Sequence, residues 1–376
     1  MNQTNTQKKY YIIAGEASGD LHGSNLMKEI ITLDPRADIR FWGGDLMQNA
    51  GGQIVKHYKH LSFMGFLEVL MNIRTILKNL AFCKNDIQKF DPDVIIFIDY
   101  PGFNMRIAKW AKQNGFRTNY YIAPQIWAWK ENRIKAIKRD FDQLFVILPF
   151  EKDFFETKHQ FKVNFVGHPL IDAIQNFCPT NQANFLSQNK LSNLPIIAVL
   201  PGSRKQEITK MLEIMLSIAP KFDKYQFVIA GAPSQNIELY KPFLNQPNIG
   251  FVANQTYNLL QFATAAIVTS GTATLETALF KVPEVVCYKS SWVSYQIAKR
   301  IITLQYISLV NLIMNQETVT ELIQKNCNTI NLETELHKLL DPENRQRIAQ
   351  QYKELETKLG GIGASKKTAK LIVDSL

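Results

Sequence analysis

The chain has 376 residues, 46% of them hydrophobic and 20% charged, and this composition excludes a wholly disordered or fibrous protein. Lys and Arg outnumber Asp and Glu by 43 to 33, and the net charge of +10 favours anionic partners such as phosphorylated substrates, nucleic acid or a membrane surface. Four widely spaced cysteines predict buried free thiols, and no apolar run is long enough for a membrane span, so we expect a cytoplasmic protein that is at most peripheral to a membrane.

Two halves of the chain each contain short, solid apolar runs that alternate with helical patterns. The strand candidates of the first half are 10–14, 39–42, 93–98, 118–122 and 143–148. After a polar linker at 179–193, those of the second half are 196–200, 226–230, 265–269 and 285–288, and the chain beyond 315 reads as helices. Such runs are typical of parallel strands covered by helices. We predict an α/β protein with two doubly wound domains that face a cleft.

Ligands of doubly wound sheets bind at the carboxyl ends of the strands, so the loops at those ends are the candidate sites. Residues 15–20 (GEASGD) follow the first strand candidate and match neither the dinucleotide-binding G-x-G-x-x-G pattern nor a P-loop. Gly19 would let a ligand approach the backbone. Glu16, Ser18 and Asp20 would either bond sugar hydroxyls or cap the following helix.

Two loops of the second half have the features of phosphate-binding turns. Gly202 and Ser203 lie at a predicted helix start, and Arg204 would add a charge-assisted bond to an anion. Residues 270–276 (SGTATLE) form a second small, hydroxyl-rich turn, with a carboxylate further along. Two such loops in one domain indicate a nucleoside diphosphate. The alternative is a pair of helix caps without a ligand.

Asp99 follows the strand candidate 93–98 and precedes a Pro-Gly turn, where it would reach a cleft as a general base or simply cap the turn. His168 is a second base candidate, ranked lower because a lone histidine before proline is more often structural. The triplets 91–93 (DPD) and 140–142 (DFD) precede strands, at the edge opposite the expected crevice. We interpret them as turns and expect no catalytic metal.

The segment 63–80 is more apolar than a surface helix requires, and Arg74 and Lys78 add positive charge to it. Two interpretations stay open: a helix that is buried on most sides, or an interfacial helix that dips into lipid. The membrane patch of the second interpretation consists of Phe66, Leu67, Val69, Leu70, Ile73, Ile76 and Leu77.

Seven segments together resemble the lipid-A-disaccharide synthase family, in that family's order: 15–23 (GEASGDLHG), 64–70 (MGFLEVL), 99–104 (DYPGFN), 123–129 (APQIWAW), 165–169 (FVGHP), 200–204 (LPGSR) and 270–276 (SGTATLE). The resemblance implies a GT-B glycosyltransferase. Such an enzyme moves 2,3-diacylglucosamine from its UDP conjugate to 2,3-diacylglucosamine 1-phosphate, with inversion, and forms a β(1→6) disaccharide and UDP. It works at the cytoplasmic face of the inner membrane of Gram-negative bacteria.

The resemblance also implies a domain organisation and partners. Residues 1–178 would bind the acceptor and the membrane, 190–345 would bind the UDP-sugar, and the helices of 346–376 would cross back to the first domain. The expected partners are the acylated monosaccharides, the anionic inner-membrane surface and a second copy of the chain, in a homodimer that exchanges C-terminal segments. We expect no nucleic-acid partner and no cofactor.

In the family pattern, Asp99 matches the catalytic base. The predicted UDP site consists of Gly202, Ser203, Arg204, Gly231, Ser270, Gly271, Thr272, Glu276 and Asn311. The predicted acceptor side of the cleft consists of Glu16, Ser18, Gly19, Asp20, Asn104, Gln125 and His168. The family usually has Leu-Pro-Asn where this chain has Leu-Val-Asn at 309–311, and we expect the missing proline to loosen the backbone around Asn311.

Other classes of protein share some of these features. Another GT-B UDP-sugar enzyme, either a transferase or a UDP-N-acetylglucosamine epimerase, would keep the UDP loops but would have little need for the apolar segment 63–80. An NAD-dependent oxidoreductase would share the order of strands and helices, although the missing G-x-G-x-x-G argues against it. A non-catalytic lipid-binding or nucleic-acid-binding protein would explain the charge and leave the paired phosphate loops unused.

Overall fold

The computed structural model describes residues 7–61, 73–233, 235–291, 295–296, 300 and 304–376. The chain forms two compact units, of which the first comprises Met1–Ala173 with Leu359–Leu376 and the second comprises Ile174–Lys358. Each unit contains one parallel sheet whose strands alternate with helices along the chain. The predicted class, an α/β protein with two doubly wound domains, is confirmed.

The first unit contains a seven-stranded sheet with the order β3-β2-β1-β4-β5-β6-β7. Its strands are β1 (Lys9–Ala14), β2 (Asp38–Gly43), β3 (Gln53–His57), β4 (Val94–Ile98), β5 (Thr118–Tyr121), β6 (Gln143–Val146) and β7 (Asn164–Phe165). Its helices before the second unit are α1 (Ala17–Leu33), α2 (Asp45–Ala50), α3 (Ile73–Phe90), α4 (Pro101–Gln113), α5 (Ile126–Trp129), α6 (Ile134–Asp140) and α7 (Pro149–Asp153). Helix α8 (Pro169–Gln175) spans the boundary.

The second unit contains a six-stranded sheet with the order β10-β9-β8-β11-β12-β13. Its strands are β8 (Ile196–Leu200), β9 (Gln226–Gly231), β10 (Ile249–Ala253), β11 (Ala263–Thr269), β12 (Glu284–Tyr288) and β13 (Thr320–Ile323). Its helices are α9 (Gln182–Gln188), α10 (Lys205–Met215), α11 (Thr256–Phe262), α12 (Thr272–Leu279), α13 (Leu309–Met314), α14 (Thr329–Leu340) and α15 (Pro342–Lys358). The last helix, α16 (Ala364–Val373), returns to the first unit.

Both sheets reverse their strand order at one place, between β1 and β4 in the first unit and between β8 and β11 in the second. All residues of β4 and β8 are buried, as a parallel strand inside a covered sheet requires. The loops that follow the four strands at these switch points are where doubly wound folds bind their ligands.

The edge strands of both sheets are absent from the sequence prediction, whereas every interior strand was anticipated. The missed strands are β3, β7, β10 and β13, and their residues are mostly half-exposed. An edge strand has a neighbour on one side only, so its sequence lacks the solid apolar run that reveals an interior strand. The prediction that the chain beyond 315 is entirely helical is therefore wrong, because it includes β13.

The unit boundaries differ from the predicted ones. The linker expected at 179–193 contains α9, whose N-terminus is capped by Asn181 and whose Phe185 is buried. In place of 346–376, only residues 359–376 belong to the first unit, since α15 stays in the second. The Asp172 carboxylate anchors the start of α16 in the first unit. It accepts hydrogen bonds from the N–H groups of Gly363 at 2.7 Å and Ser365 at 2.8 Å.

Four residues of the predicted membrane patch, Phe66, Leu67, Val69 and Leu70, lie outside the described residues. The described part of that helix is α3, which continues to Phe90 rather than ending at residue 80. Ile73 and Leu77 are 51% and 59% exposed, whereas Ile76 is half-buried against the core. Within the described ranges, none of the helices has both the length and the apolar character to traverse a bilayer.

The cysteines are free thiols, and three of the four are buried. Cys178 is exposed, so the prediction of burial is wrong for that residue.

Candidate active site

Asp99 lies directly after β4, at the switch point of the first sheet. Asp99 and Tyr100 have φ angles of 43° and 51°, in the left-handed region that residues other than glycine rarely adopt. Two consecutive residues of this kind cost about 1–3 kcal/mol each, and such strain is concentrated at functional sites. The loop therefore presents its carboxylate in a conformation that the surrounding structure imposes.

Two side chains hold the main chain of this loop. The carbonyl oxygen of Asp99 accepts hydrogen bonds from Asn104 Nδ2 at 2.7 Å and from the Tyr120 hydroxyl at 2.8 Å. Asn104 is fully buried, and its Nδ2 also reaches the carbonyl of Ile98 at 3.3 Å. Asn104 is thus a positioning residue for Asp99, which corrects its prediction as an acceptor contact.

The Asp99 carboxyl group has the electrostatics of a proton acceptor. Burial raises its pKa above the usual range, and a hydrogen bond from the backbone of Tyr100 offsets part of the effect. A carboxylate with a raised pKa removes a proton more effectively than an ordinary aspartate, because its pKa lies nearer the working pH. The role of Asp99 as the base stays a prediction, and a buried carboxyl group at the switch point is compatible with it.

The loop after β1 lies close to the Asp99 loop. Glu16 is half-buried at the start of α1, and its negative charge raises the pKa of the Tyr100 hydroxyl, after the larger effect of burial. Ser18 is exposed. Gly19 is buried, and a Cβ atom there would lie 3.1 Å from Cβ of Ala14, so its small size serves helix–strand packing. The predicted contacts of Glu16 and Ser18 with the acceptor stay predictions.

Asp20 has a structural role. Its Oδ1 accepts the N–H groups of Gly44 at 2.7 Å and Met47 at 3.0 Å, and its Oδ2 accepts the N–H of Leu46 at 3.1 Å. These bonds cap the N-terminus of α2, a helix that is distant in sequence. We therefore remove Asp20 from the acceptor contacts.

His168 is buried and holds the start of α8, since its Nδ1 accepts the N–H of Leu170 at 3.2 Å. Burial and, to a smaller extent, the neighbouring His22 lower the pKa of His168 to about 3. An imidazole with such a pKa is a poor general base, which corrects its role as second base candidate. Gln125 is exposed at the start of α5 and keeps its predicted availability.

In the second unit, the loop after β8 is arranged around a carboxylate of the same chain. The Glu207 carboxylate accepts hydrogen bonds from the backbone of Ser203 and Arg204. Gly202 has a φ of 100°, and a Cβ atom there would meet Glu207 Oε2 at 2.5 Å. Ser203 and Arg204 are exposed. The N–H groups of this loop thus converge on one carboxylate of the same chain, and the predicted contact of the loop with a phosphate stays a prediction.

The loop after β11 is the second predicted phosphate turn. The Ser270 hydroxyl donates a hydrogen bond to the carbonyl of Ile307 at 3.1 Å. Its proton is therefore used in a bond within the second unit. Gly271 and Thr272 are exposed at the start of α12. Because the loops after β8 and β11 follow adjacent strands at the switch point, they lie side by side at one edge of this sheet.

Glu276 lies on α12, one turn beyond this loop. Its Oε1 accepts a hydrogen bond from the Tyr257 hydroxyl at 3.1 Å, and burial raises the pKa of its carboxyl group. The carboxylate is half-buried, and its second oxygen could accept hydrogen bonds from the two hydroxyls of a sugar diol. The predicted contact of Glu276 with ribose stays a prediction.

Asn311 and Gly231 have packing roles, and their predicted contacts with UDP stay predictions. Asn311 is fully buried, and its Oδ1 accepts the N–H groups of Thr318 and Val319 at 2.8 and 2.9 Å. Its Nδ2 donates to the Val319 carbonyl at 2.8 Å and to Glu321 at 2.9 Å, so all four bonds of the amide are made. A Cβ atom on Gly231 would collide with the Phe251 ring.

The backbone around Asn311 is well fixed despite the missing family proline. Ser308 caps α13 by accepting the N–H of Asn311 at 3.2 Å, and Val310 is buried in the first turn of this helix. First-turn positions tolerate proline because their N–H groups have no helical partner. In this chain the Ser308 cap fixes the start of α13 without a proline, so the backbone around Asn311 is not loosened as expected.

The two acidic triplets lie at the amino ends of β4 and β6, where turns were predicted. Asp93 accepts the N–H of Lys9 at 2.8 Å, and Asp142 accepts the N–H of Thr118 at 2.9 Å. Across the described ranges there is no group of three or more His, Cys, Asp or Glu side chains with the arrangement of a metal site.

Three residues of the two sites were missed by sequence reasoning. Tyr120 holds the Asp99 loop, Tyr257 orients Glu276, and Glu207 organises the phosphate turn. A glutamate three residues after a helix N-cap is a known capping pattern, so the spacing of Arg204 and Glu207 was a usable signal. The tyrosines had no such signal, because their partners are distant in sequence.

Comparison with solved structures identifies the class of protein. The S. aureus MnaA–UDP co-structure superposes with a TM-score of 0.71 at 14% identity, covering 98% of each chain. The glycotransferase of kitacinnamycin superposes with a TM-score of 0.63 at 14% identity, covering 98% of this chain and 99% of that one. With two doubly wound sheets, the chain has the GT-B fold.

The family follows from sequence comparison. Residues 10–374 match the family model of lipid-A-disaccharide synthetase. A lipid-A-disaccharide synthase from Coxiella burnetii (strain CbuG_Q212) is 36% identical over 379 residues, which cover 98% of each chain. The chain belongs to the lipid-A-disaccharide synthase family. The predicted family, fold and glycosyltransferase activity are confirmed, and the roles of individual residues stay predictions.

Proposed function

We propose that this chain joins two acylated sugars by an inverting transfer in which Asp99 is the base. The Asp99 carboxylate takes the proton of the 6-hydroxyl of 2,3-diacylglucosamine 1-phosphate. The freed oxygen attacks C1 of the UDP-linked sugar, the bond from C1 to the diphosphate breaks, and UDP leaves. The product is the β(1→6) disaccharide. The observation that carries the proposal is a desolvated carboxyl group at the switch point, on a loop held in a strained conformation.

The second unit binds the UDP part of the donor in this proposal. Negative charge grows on the diphosphate as it departs, and the helix starts after β8 and β11, with the guanidinium of Arg204, stabilise it electrostatically. Glu276 accepts from the ribose hydroxyls, since a carboxylate suits a diol and repels a phosphate. Positive charge from the protein supplies what a metal ion supplies in other transferases, so we expect no metal requirement.

The acyl chains of the substrates require contact with a membrane. Burial of a chain contributes ~0.8 kcal/mol per CH₂, so these sugars stay in a bilayer and the enzyme must reach them there. We assign this contact, at the inner membrane, to the predicted patch, of which Ile73 and Leu77 are exposed and the nearby Arg74 and Lys78 are basic. The expected homodimer with exchanged C-terminal segments is part of the same proposal.

Two experiments test these proposals. Incubation of the protein with both acylated monosaccharides in EDTA, followed by mass spectrometry, should yield the disaccharide, and UDP should appear in equal amount. Absence of the disaccharide would refute the transfer, and a requirement for added metal would refute the role given to Arg204.

For the membrane, Ile73→Ser with Leu77→Ser should weaken binding to anionic liposomes. Unchanged binding with lowered stability would instead favour a buried helix.

A further inference from the structure

The segment between β5 and α6 carries an exposed tryptophan beside two cations. Trp129 is 54% exposed at the end of α5, and Nζ of Lys130 lies 3.8 Å from its ring centroid. A 3₁₀ turn follows at Glu131–Arg133, in which the Arg133 N–H donates to the Lys130 carbonyl at 3.0 Å. Lys130 directly precedes this turn, and Arg133 ends it. Residues 129–133 line a surface cavity of about 560 Å³.

The two cations are not neutralised within the described part of the chain. No carboxylate there forms an ion pair with Lys130 or Arg133, and Glu131 instead pairs with Lys158 at 2.8 Å and His159 at 3.0 Å. The pKa of the Lys130 ammonium is lowered by desolvation and by the neighbouring guanidinium. Two like charges held together in this way favour the binding of an anion between them.

The cation pair is fixed and lies near the candidate base. Trp127 Nε1 donates to the buried carboxylate of Glu151 at 3.1 Å, which anchors the segment. The charges of Asp99 and Arg133 both act on the Tyr120 hydroxyl: beyond the effect of burial, the carboxylate raises its pKa and the guanidinium lowers it. Since that hydroxyl is 2.8 Å from the Asp99 carbonyl oxygen, the guanidinium belongs to the surroundings of the Asp99 loop.

We propose that Lys130 and Arg133 bind the phosphate of a phosphomonoester, the 1-phosphate of the sugar acceptor, beside the indole of Trp129. The inference rests on the proposed function, which supplies a phosphorylated acceptor. Guanidinium and ammonium groups are the side chains that bind phosphate dianions by charge-assisted hydrogen bonds. In the acceptor, C1 carries the phosphate, and C6, which carries the attacking hydroxyl, is attached to C5 across the ring oxygen from C1. Binding of the phosphate therefore restricts where the 6-hydroxyl can lie, and in this proposal it lies at Asp99.

The test compares two acceptors with short acyl chains, 2,3-diacylglucosamine 1-phosphate and the same sugar without phosphate. We expect the wild-type protein to prefer the phosphorylated acceptor in kcat/KM by about 100-fold, since each lost charge-assisted bond costs about tenfold. In Lys130→Gln with Arg133→Gln the preference should fall to within about threefold of unity, and the KM of the UDP donor should not change. Arg133→Lys, which keeps the charge but loses the planar fork, should be intermediate.

A matched control removes two exposed charges elsewhere on the first unit, by Lys28→Gln with Lys109→Gln, and should keep the wild-type preference. An unchanged preference in the double variant at residues 130 and 133 would overturn the inference. Loss of binding to anionic liposomes with the preference intact would also overturn it and would assign the cations to lipid headgroups. If the wild-type protein made no disaccharide from either acceptor, the proposed function would fail, and this inference with it.

Discussion

The Tyr120 hydroxyl donates a hydrogen bond of 2.8 Å to the main-chain carbonyl of Asp99. The bond joins β5 to the loop that follows β4, so a strand of the sheet holds the candidate base from the side. The acceptor is the carbonyl rather than the carboxylate, which leaves the carboxylate free to take a proton. The position of the base therefore depends on a residue that need not touch the substrate.

Tyr120→Phe should lower kcat by about threefold to tenfold, because a neutral hydrogen bond contributes about 1 kcal/mol and Asn104 still holds the same carbonyl. Steady-state kinetics with both substrates measure the effect. Tyr10→Phe is the matched control, since it removes a bond of 3.0 Å to Asp34 far from the switch point. A fall in kcat of the same size in both variants would contradict a positioning role for Tyr120.

Asp99→Asn should raise the melting temperature near neutral pH while it removes activity. Because burial raises the pKa of Asp99, the folded protein binds this proton more tightly than the unfolded chain, whose carboxyl has a pKa of about 3.9. The ionised carboxyl thus destabilises the fold as the pH rises above that value. Asparagine removes this cost and tolerates the left-handed backbone.

Thermal melts over a pH series measure this difference. The melting temperatures of wild type and Asp99→Asn should converge as the pH falls towards the pKa of the unfolded carboxyl, where both side chains are neutral. A variant that is less stable at neutral pH would show that the carboxylate is stabilised in the folded protein and that its pKa is not raised.

Acid should destabilise the protein through two buried histidines. Burial lowers the pKa of His22 from 6.5 to about 4, although the nearby Asp172 carboxylate opposes this, and it lowers the pKa of His168 to about 3. In this pH range the two histidines bind protons in the unfolded chain but remain neutral in the folded protein. The free energy of unfolding therefore falls as the pH decreases from 6.5 to about 4.

His22→Gln should reduce this loss of stability on acidification, as measured by urea unfolding at several pH values. His60→Gln is the control, because this histidine is exposed. An identical pH dependence in His22→Gln and the wild type would refute the contribution of His22.

Gly202→Ala should raise the KM of the UDP donor, because alanine is strained at a φ of 100° and its Cβ would collide with Glu207 Oε2. Displacement of Glu207 would release the N–H groups of Ser203 and Arg204 from their common orientation. Gly115→Ala is the matched control, since Gly115 has a φ of 83° with no atom within 4 Å of the added Cβ. Equal effects of both variants on the donor KM would mean that strain alone is responsible.

The parts of the fold that the sequence reveals are those in which local pattern and burial agree. Interior strands such as β4 and β8 are unbroken apolar runs, and the loops after them contain Asp99 and Arg204, so the sequence located the loops at both switch points. Edge strands such as β3 are half-exposed and escaped detection.

Some predicted acceptor residues have bonds within the fold that their sequence motif does not reveal. Asp20 caps a helix that begins after Gly44, and Asn104 holds the carbonyl of Asp99 from within the core. A polar side chain in a family motif has the same one-letter code whether it binds a ligand or holds a loop. The two roles can be distinguished only in the structure, by identifying the hydrogen-bond partners of the side chain.

The rate of disaccharide formation by Asp99→Asn, measured with both acylated sugars at saturation, tests the assignment of the base most directly. A general base contributes about 10²–10⁴-fold, so we expect a loss of this size while the thermal shift caused by UDP stays at its wild-type value. A variant that keeps its rate within about tenfold of the wild type, with the same UDP shift, would contradict the assignment of Asp99.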